Sequence, residues 1–300
     1  MLSPQDIWRS ETLDQVFSAL ALSPELSERL VYKGARVLRL LLNEPVRASL
    51  DIDASLANIA ANLPVGQNEL EHLRSLAHNV VSNHFENQTP VRYSLLDSSI
   101  ANRRRSGPHP WGWDVYWLTL RIQDLASADP TGSVPELRID IAAPELVSSR
   151  SIQTIALNGR EVQTITLERM AGEKLRAFLS SLPAYRQKLG ERLRVRLHPP
   201  RSRDLYDLSR IHRRRSLADG DFWHTAGSEF RLACQSRCVD CEGIEAFKEQ
   251  WGRTAEVYAI DPTIPNDVSL VEAQESLERI VEFLSRDKLF PLTFDLPESG

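Results

Sequence analysis

The chain has 300 residues, of which 42% are apolar, with a net charge of −5 and a mean hydropathy of −0.32. That supports a sizeable core in one large domain or two ordinary ones, and no stretch reaches the roughly 18 consecutive apolar residues of a membrane helix. The N-terminal MLSPQDIWRSETLDQ lacks an apolar targeting region and three cysteines cannot close a disulfide framework, so the expected compartment is the cytoplasm, without a membrane partner.

Residues near Leu13 to Leu30 predict two short amphipathic helices broken at Pro24, packed outside the unit that follows. Leu30 to Lys33 reads as a short buried strand. Gly34 then permits a tight turn with free backbone N–H groups. Val37, Leu38, Leu40 and Leu41 form one helix face, which Asn43-Glu44-Pro45 stops. Ser49 to Ala54 is the strand on which the reading turns. Side chains alternate along a strand, so Asp51 and Asp53 share one face while Leu50 and Ile52 take the core side. Two close carboxylates stay ionised most easily beside a cation, and oxygen ligands at this spacing suit Mg²⁺. DxD is common, and alone it reads as an exposed strand with two solvated carboxylates. The glycine turn and helix upstream shift the reading towards a site.

Leu56 to Leu63 and Glu69 to Phe85 predict helices, and His72, His78 and His84 on the second are surface or interface residues without metal-pair spacing. Strands are expected at Val91 to Leu96 and Asp114 to Ile122. The loop between them, NRRRSGPHPWGW, carries Arg103, Arg104 and Arg105, which read either as a solvated turn or as a phosphate contact flanked by Trp111 and Trp113. Leu137 to Ala142 is a further strand with Arg138 and Asp140 on one face. Asp140 is a candidate third metal-facing carboxylate, or else an edge-strand charge.

After Thr166 the pattern turns helical. Leu167 to Leu182 supports one helix carrying Glu173 and Lys174. From Arg186 to Arg215 eleven basic residues face three acidic ones, a local field that can bind a polyanion on an acidic protein. Within that stretch Pro199-Pro200 marks a break, and Ser202 is expected to cap a helix beginning RDLYDLSRIH, with Asp204 and Asp207 three apart on one face. The tail alternates helices with loops, and Leu270 to Leu284 is its clearest helix. No repeat period is present.

KGARVLRLL followed by RASLDID resembles the first motif of the AbiEii-type nucleotidyltransferases (AbiEii/AbiGii), toxins of bacterial abortive-infection and type IV toxin–antitoxin systems. That motif reads KGG, then Thr or Ser, a helix, then R-x-S-x-D-x-D. Lys33, Gly34, Arg47, Ser49, Asp51 and Asp53 match it. Downstream, GEKLRA resembles the family's lysine motif and places Lys174, and RDLYDL resembles its last motif and places Asp204 and Asp207. The pieces occur in the family's order between Leu30 and Leu208. The chain departs from the pattern at the second glycine and the hydroxyl, where Ala35 and Arg36 stand. Arg36 can offer a charge-assisted contact to a triphosphate in the hydroxyl's place.

The resemblance implies an α+β fold: a DNA polymerase β-like nucleotidyltransferase core, a mixed sheet with flanking helices, plus a helical C-terminal region. The division expected is residues 1–165 and 166–300. It further implies an enzyme that moves a nucleotide from an NTP to an RNA or protein acceptor, the acceptor end of tRNA being modified by some members, with Mg²⁺ (or Mn²⁺) and with a cognate antitoxin encoded nearby. Asp51, Asp53, Lys174 and Asp204 would be catalytic, with Asp140 joining Asp51 and Asp53 at the metal. Lys33, Gly34, Arg36, Arg47 and Ser49 would hold the nucleotide, and Arg213, Arg214 and Arg215 the acceptor. The competing expectation is a catalytically decayed fold that only binds nucleic acid or a partner, which Ala35-Arg36 favours. Cys234, Cys238 and Cys241 form C-x3-C-x2-C, read as ordinary thiols, with zinc held alongside His224 as the minor alternative.

Overall fold

The computed structural model describes residues 2–44, 46–57, 65–104, 109, 111–126, 134–143, 145–190, 201–249 and 251–297. It opens with α1 (Pro4–Ala21), whose N-terminus carries a capping box: Ser3 accepts from the Asp6 backbone N–H while Asp6 reaches back. The helix therefore begins well before the first apolar repeat at Leu13. After α2 (Pro24–Arg29), capped by Ser23, the chain enters β1 (Leu30–Lys33), turns, and forms α3 (Gly34–Leu42). Asn43 ends α3 in the left-handed region.

Next comes β2 (Ile52–Leu56), followed by α4 (Gln67–Glu86), β3 (Tyr93–Asn102), β4 (Val115–Asp124) and β5 (Glu136–Ala142). The expected strand start at Ser49 moves to Ile52, because Ser49 to Asp51 are held by side-chain bonds rather than by ladder pairing. Leu56, expected to start a helix, is instead the last residue of β2, paired with Leu30. Most of that expected helix lies outside the described residues.

Strands β6 (Ile152–Leu157) and β7 (Arg160–Ile165) form a hairpin that the chain reading above leaves out. Its turn is Asn158-Gly159, both at positive φ, which matches the right-handed twist of the flanking strands. The described strands make one mixed sheet in the order β3-β4-β5-β2-β1-β7-β6. The β5–β2 and β1–β7 pairs are parallel and the others antiparallel.

The C-terminal half is helical among its described residues: α5 (Leu167–Ser180), α6 (Pro183–Lys188), α7 (Ser202–Arg214), α8 (Gly220–Arg237), α9 (Ile244–Lys248), α10 (Trp251–Ile260) and α11 (Leu270–Arg286). Ser202 is the first residue of α7, and Arg201 precedes it without a side-chain cap, so the expected serine cap is not formed. Helix α5 packs on α7, α8 and α3, and buried residues from both halves, Leu13 through Leu292, join in one apolar cluster. The wall opposite the sheet's central strands therefore comes from the helical half.

Candidate active site

Four neighbouring strands carry the site. Lys33 on β1 stands opposite Asp53 on β2, Asp53 opposite Asp140 on β5, and Asp140 opposite Trp117 on β4. Directly opposite residues share a sheet face, so these four form a row across the sheet. Gly34 lies under this row at φ +79°, and a Cβ there would sit 2.1 Å from Asp53 Oδ2. Only glycine tolerates both that φ and that contact.

Asp51 precedes the strand, and two devices hold it. Ser49 Oγ donates to the Asp51 carbonyl at 3.0 Å and to its carboxylate at 3.1 Å. Arg36, 4% exposed, donates to the carbonyls of Asp51 (3.2 Å), Ser49 (2.9 Å) and Ser10 (3.1 Å), and pairs with Asp14. The guanidinium expected at a triphosphate instead faces its own chain, because it satisfies the backbone carbonyls of the irregular segment that carries Asp51. Ser49 likewise spends its hydroxyl on Asp51.

Burial, together with the charges of Asp51 and Asp140, raises the Asp53 carboxyl to about 7 against the opposing pull of Lys33 and Arg201. Burial and Asp51 also raise Asp140, while Arg103, Arg138 and Arg201 draw it back. Three carboxylates that repel in this way are short of positive charge. Among the described residues, no group of three or more His, Cys, Asp or Glu is placed to hold a metal ion, so Asp140 is not gathered with Asp51 and Asp53 into one ligand set. The donors fit a Mg²⁺-type ion that takes one or two carboxylates and fills its remaining positions with waters and substrate phosphates.

The remaining expected residues sort into two groups. Lys33 Nζ lies 3.0 Å from Glu145 Oε2 and 3.5 Å from Glu173 Oε2. Burial by itself would raise Glu145, but Lys33, Arg237, Arg176 and Arg169 hold it well below the usual carboxylate range. Lys174, also buried, donates to Asp207 at 2.5 Å and to Asp204 at 3.4 Å, and Arg47 Nε reaches Asp207 at 3.1 Å. Lys174 and Arg47 thus meet at Asp207, with Asp204 beside them. Lys174 is consequently an internal partner rather than an open point charge. Arg201 joins the two groups: its Nε lies 2.9 Å from Asp204 Oδ2, and its charge acts on Asp53 and Asp51. It sits just before the RDLYDL segment, a signal the motif did not include.

The expected acceptor patch is different. Arg213 is forked onto Glu272 at 2.5 and 2.6 Å, Arg215 pairs with Asp219 at 3.2 Å, and Arg214 is exposed beside them. Nearby, Arg210 pairs with Asp267 and Glu44, and Arg203 with Asp261. Acids from distant parts of the chain match this charge locally, which the linear count of basic residues misses. The patch also lies at the far end of α7, roughly 18 Å from Arg201 by helix rise. Arg192, Arg194 and Arg196 lie outside the described residues.

In the 100s loop, Trp111 and Trp113 pack on each other and on His109, with Arg237 over Trp113. Arg103 faces Trp117 instead, and Arg105 lies outside the described residues. His78 bonds Ser98 and His84 bonds Gln15, both between elements. Cys234, Cys238 and Cys241 are buried core residues, and burial pushes the Cys241 thiol up to about 12. His224 pairs with Asp287.

No curated protein matches the sequence. A candidate nucleotidyltransferase from Helicobacter pylori has a similar fold, with 17% identity and a TM-score of 0.50 over 97% of this chain and 100% of its own. A second H. pylori structure, JHP933, aligns with 17% identity and a TM-score of 0.49 over 96% of this chain and 94% of its own. The family description "Nucleotidyl transferase AbiEii toxin, Type IV TA system" matches residues 16–288, and with the carboxylate row and mixed sheet already in place, the chain belongs to that family of nucleotidyltransferases.

Proposed function

We propose that this chain transfers a nucleotidyl group from an NTP to an RNA acceptor, with tRNA as the first acceptor to test, and that Asp51 and Asp53 hold Mg²⁺ or Mn²⁺ for the reaction. The observation that carries this reading is the row Lys33–Asp53–Asp140 with Asp51 beside it, where burial, reinforced by the charges of Asp51 and Asp140, lifts the Asp53 carboxyl to about 7. When bound, the cation supplies charge neutralisation at the α-phosphate and at the departing pyrophosphate.

The chain's own residues do the rest. Gly34 brings the backbone N–H groups of the α3 start next to Asp53, where phosphate oxygens can be cradled. Arg36 and Ser49 keep Asp51 in place by bonding its carbonyl. Lys33, although paired with Glu145 and Glu173, keeps its charge within reach of Asp53. Arg201 can compensate phosphate charge from the α7 side, while Asp204, Asp207, Lys174 and Arg47 fix the α7 start. Asp140 completes the carboxylates on the face where the acceptor hydroxyl arrives. In this division residues 1–165 supply the sheet and its carboxylates, and residues 166–300 supply Lys174, Asp204 and Arg201.

The family is one of toxins, and a cognate antitoxin encoded nearby is the proposed partner. No helix among the described residues is long and apolar enough to cross a membrane, and the cytoplasm is the proposed site of action. The test is incubation of the protein with each labelled NTP and total cellular RNA. Asp51→Asn combined with Asp53→Asn should abolish label transfer and leave the circular dichroism spectrum unchanged. Full transfer by that variant removes the metal role. Nucleotide binding without any transfer by the unaltered protein favours the second reading, a decayed binding module, which rests on Ala35-Arg36 in place of the family's glycine and hydroxyl.

A further inference from the structure

Trp117 is the member of the cross-sheet row that the nucleotide and metal assignments leave unused. On β4 the side chains of Tyr116, Leu118, Leu120 and Ile122 are buried, whereas Trp117 points to the other face and is only partly covered. It stands opposite Asp140, and Asp140 stands opposite Asp53. Neighbouring strands are about 4.8 Å apart, so the indole begins one strand from Asp140 and two from Asp53. The Arg138 guanidinium lies over its ring at 4.6 Å from the centroid and that of Arg103 at 5.7 Å.

These arginines differ from those at the end of α7. Among the described residues, Arg138 has only Glu136 at 4.0 Å, the outer limit of an ion pair, and no carboxylate pairs with Arg103. Arg103, Arg138 and Arg201 all act on Asp140. An aromatic ring flanked by cations beside a phosphoryl-transfer row is the chemistry that holds single-stranded nucleic acid: bases stack on the ring and guanidiniums meet the phosphates.

We propose that Trp117, with Arg103 and Arg138, is the platform on which the acceptor RNA stacks a base next to its reacting hydroxyl. This rests on the nucleotidyltransferase reading above. In that reaction the acceptor oxygen forms a bond to the α-phosphorus. The bond from the α-phosphorus to the bridging oxygen breaks, its electron pair leaves with pyrophosphate, and the hydroxyl proton passes to solvent. Attacking and leaving oxygens lie roughly in line. The Gly34 turn and Lys33 occupy one end of the row, so the leaving phosphates lie there and the acceptor enters from the Trp117 end.

The test uses the full chain and a short fluorescein-labelled single-stranded oligoribonucleotide with a free 3′ hydroxyl, followed by anisotropy, alongside binding of a fluorescent ATP analogue. Trp117→Ala should weaken oligoribonucleotide binding by about 10- to 100-fold, the size expected for losing one base–aromatic stack. Trp117→Phe should restore most of it, and ATP-analogue binding should not change. Arg103→Gln with Arg138→Gln should weaken oligoribonucleotide binding and flatten its salt dependence. Binding by Trp117→Ala equal to the unaltered protein overturns the platform. Loss confined to the ATP analogue also overturns it and places the nucleotide's own base on Trp117. Label transfer by the unaltered protein separates the two proposals. If the unaltered protein transfers no label while Trp117→Ala weakens RNA binding, the platform stands and the transferase reading falls, and if it transfers label while Trp117→Ala binds and transfers normally, the reverse holds.

Discussion

Replacing Asp207 by asparagine keeps the shape of the side chain and removes the charge that two buried cations share. Lys174 Nζ lies 2.5 Å and Arg47 Nε 3.1 Å from its oxygens, and Asp207 itself has no exposed surface. The contacts correspond to about 5–7 kcal/mol of attraction each at an effective dielectric near 20, most of it offset by the desolvation of the charges involved. Removing one partner leaves the others buried and uncompensated, which costs about 3–5 kcal/mol.

Asp204 stays close to Lys174, at 3.4 Å, so the lower half of that range is expected. For a chain of this length, that lowers the melting temperature by about 5–6 °C. The assay is urea and thermal unfolding of the unaltered protein, Asp207→Asn, Lys174→Met and the double variant. The double variant should be less destabilised than the two single losses added together, because the second substitution removes a charge the first has stranded. A loss below about 1 kcal/mol for Asp207→Asn, with additive single effects, would show that water already solvates these charges and would refute the buried-cluster account.

Two further outcomes follow from the same coordinates. Gly34→Ala places a Cβ 2.1 Å from Asp53 Oδ2 at φ +79°, so the backbone conformation costs about 1–2 kcal/mol and the carboxylate must move. Label transfer should fall about 100-fold or more, and unchanged transfer would separate Asp53 from the chemistry. Glu145 has a folded-state pKa held well below its ordinary 4.5. Its contribution to stability is therefore complete above that value and is lost as the pH falls through the depressed folded value. Urea unfolding at stepped pH should show Glu145→Gln less stable near neutrality and less sensitive to acid, and parallel pH curves for the two proteins would contradict the assignment.

Much of this site is legible along the chain, because its signals are local. Alternation places Arg138 and Asp140 on one strand face, and the start of α3 needs a residue that tolerates positive φ. The apolar spacing of α4 and α11 marks them as helices, and the motif pieces single out Lys174 and Asp204 as candidate catalytic residues. The β6–β7 hairpin was equally local: Asn158-Gly159 between alternating apolar residues is its signature. Other features depend on partners far away in the chain. Arg36 looks like a substitute for a phosphate-binding hydroxyl until α1 and the segment before β2 close on it and consume its donors. Arg213 looks like part of a polyanion site until Glu272, nearly sixty residues on, meets it.

Residue order thus determined which side chains share a face within a strand or a turn, since those geometries repeat every two or 3.6 residues whatever lies elsewhere. Which strands lie side by side, and so whether Asp140 meets Asp53 and Trp117 meets Asp140, was decided only by the tertiary structure. Strand register and ion pairing are set by the burial of whole faces and by charges brought together from distant segments, and neither is encoded in any one stretch of the chain.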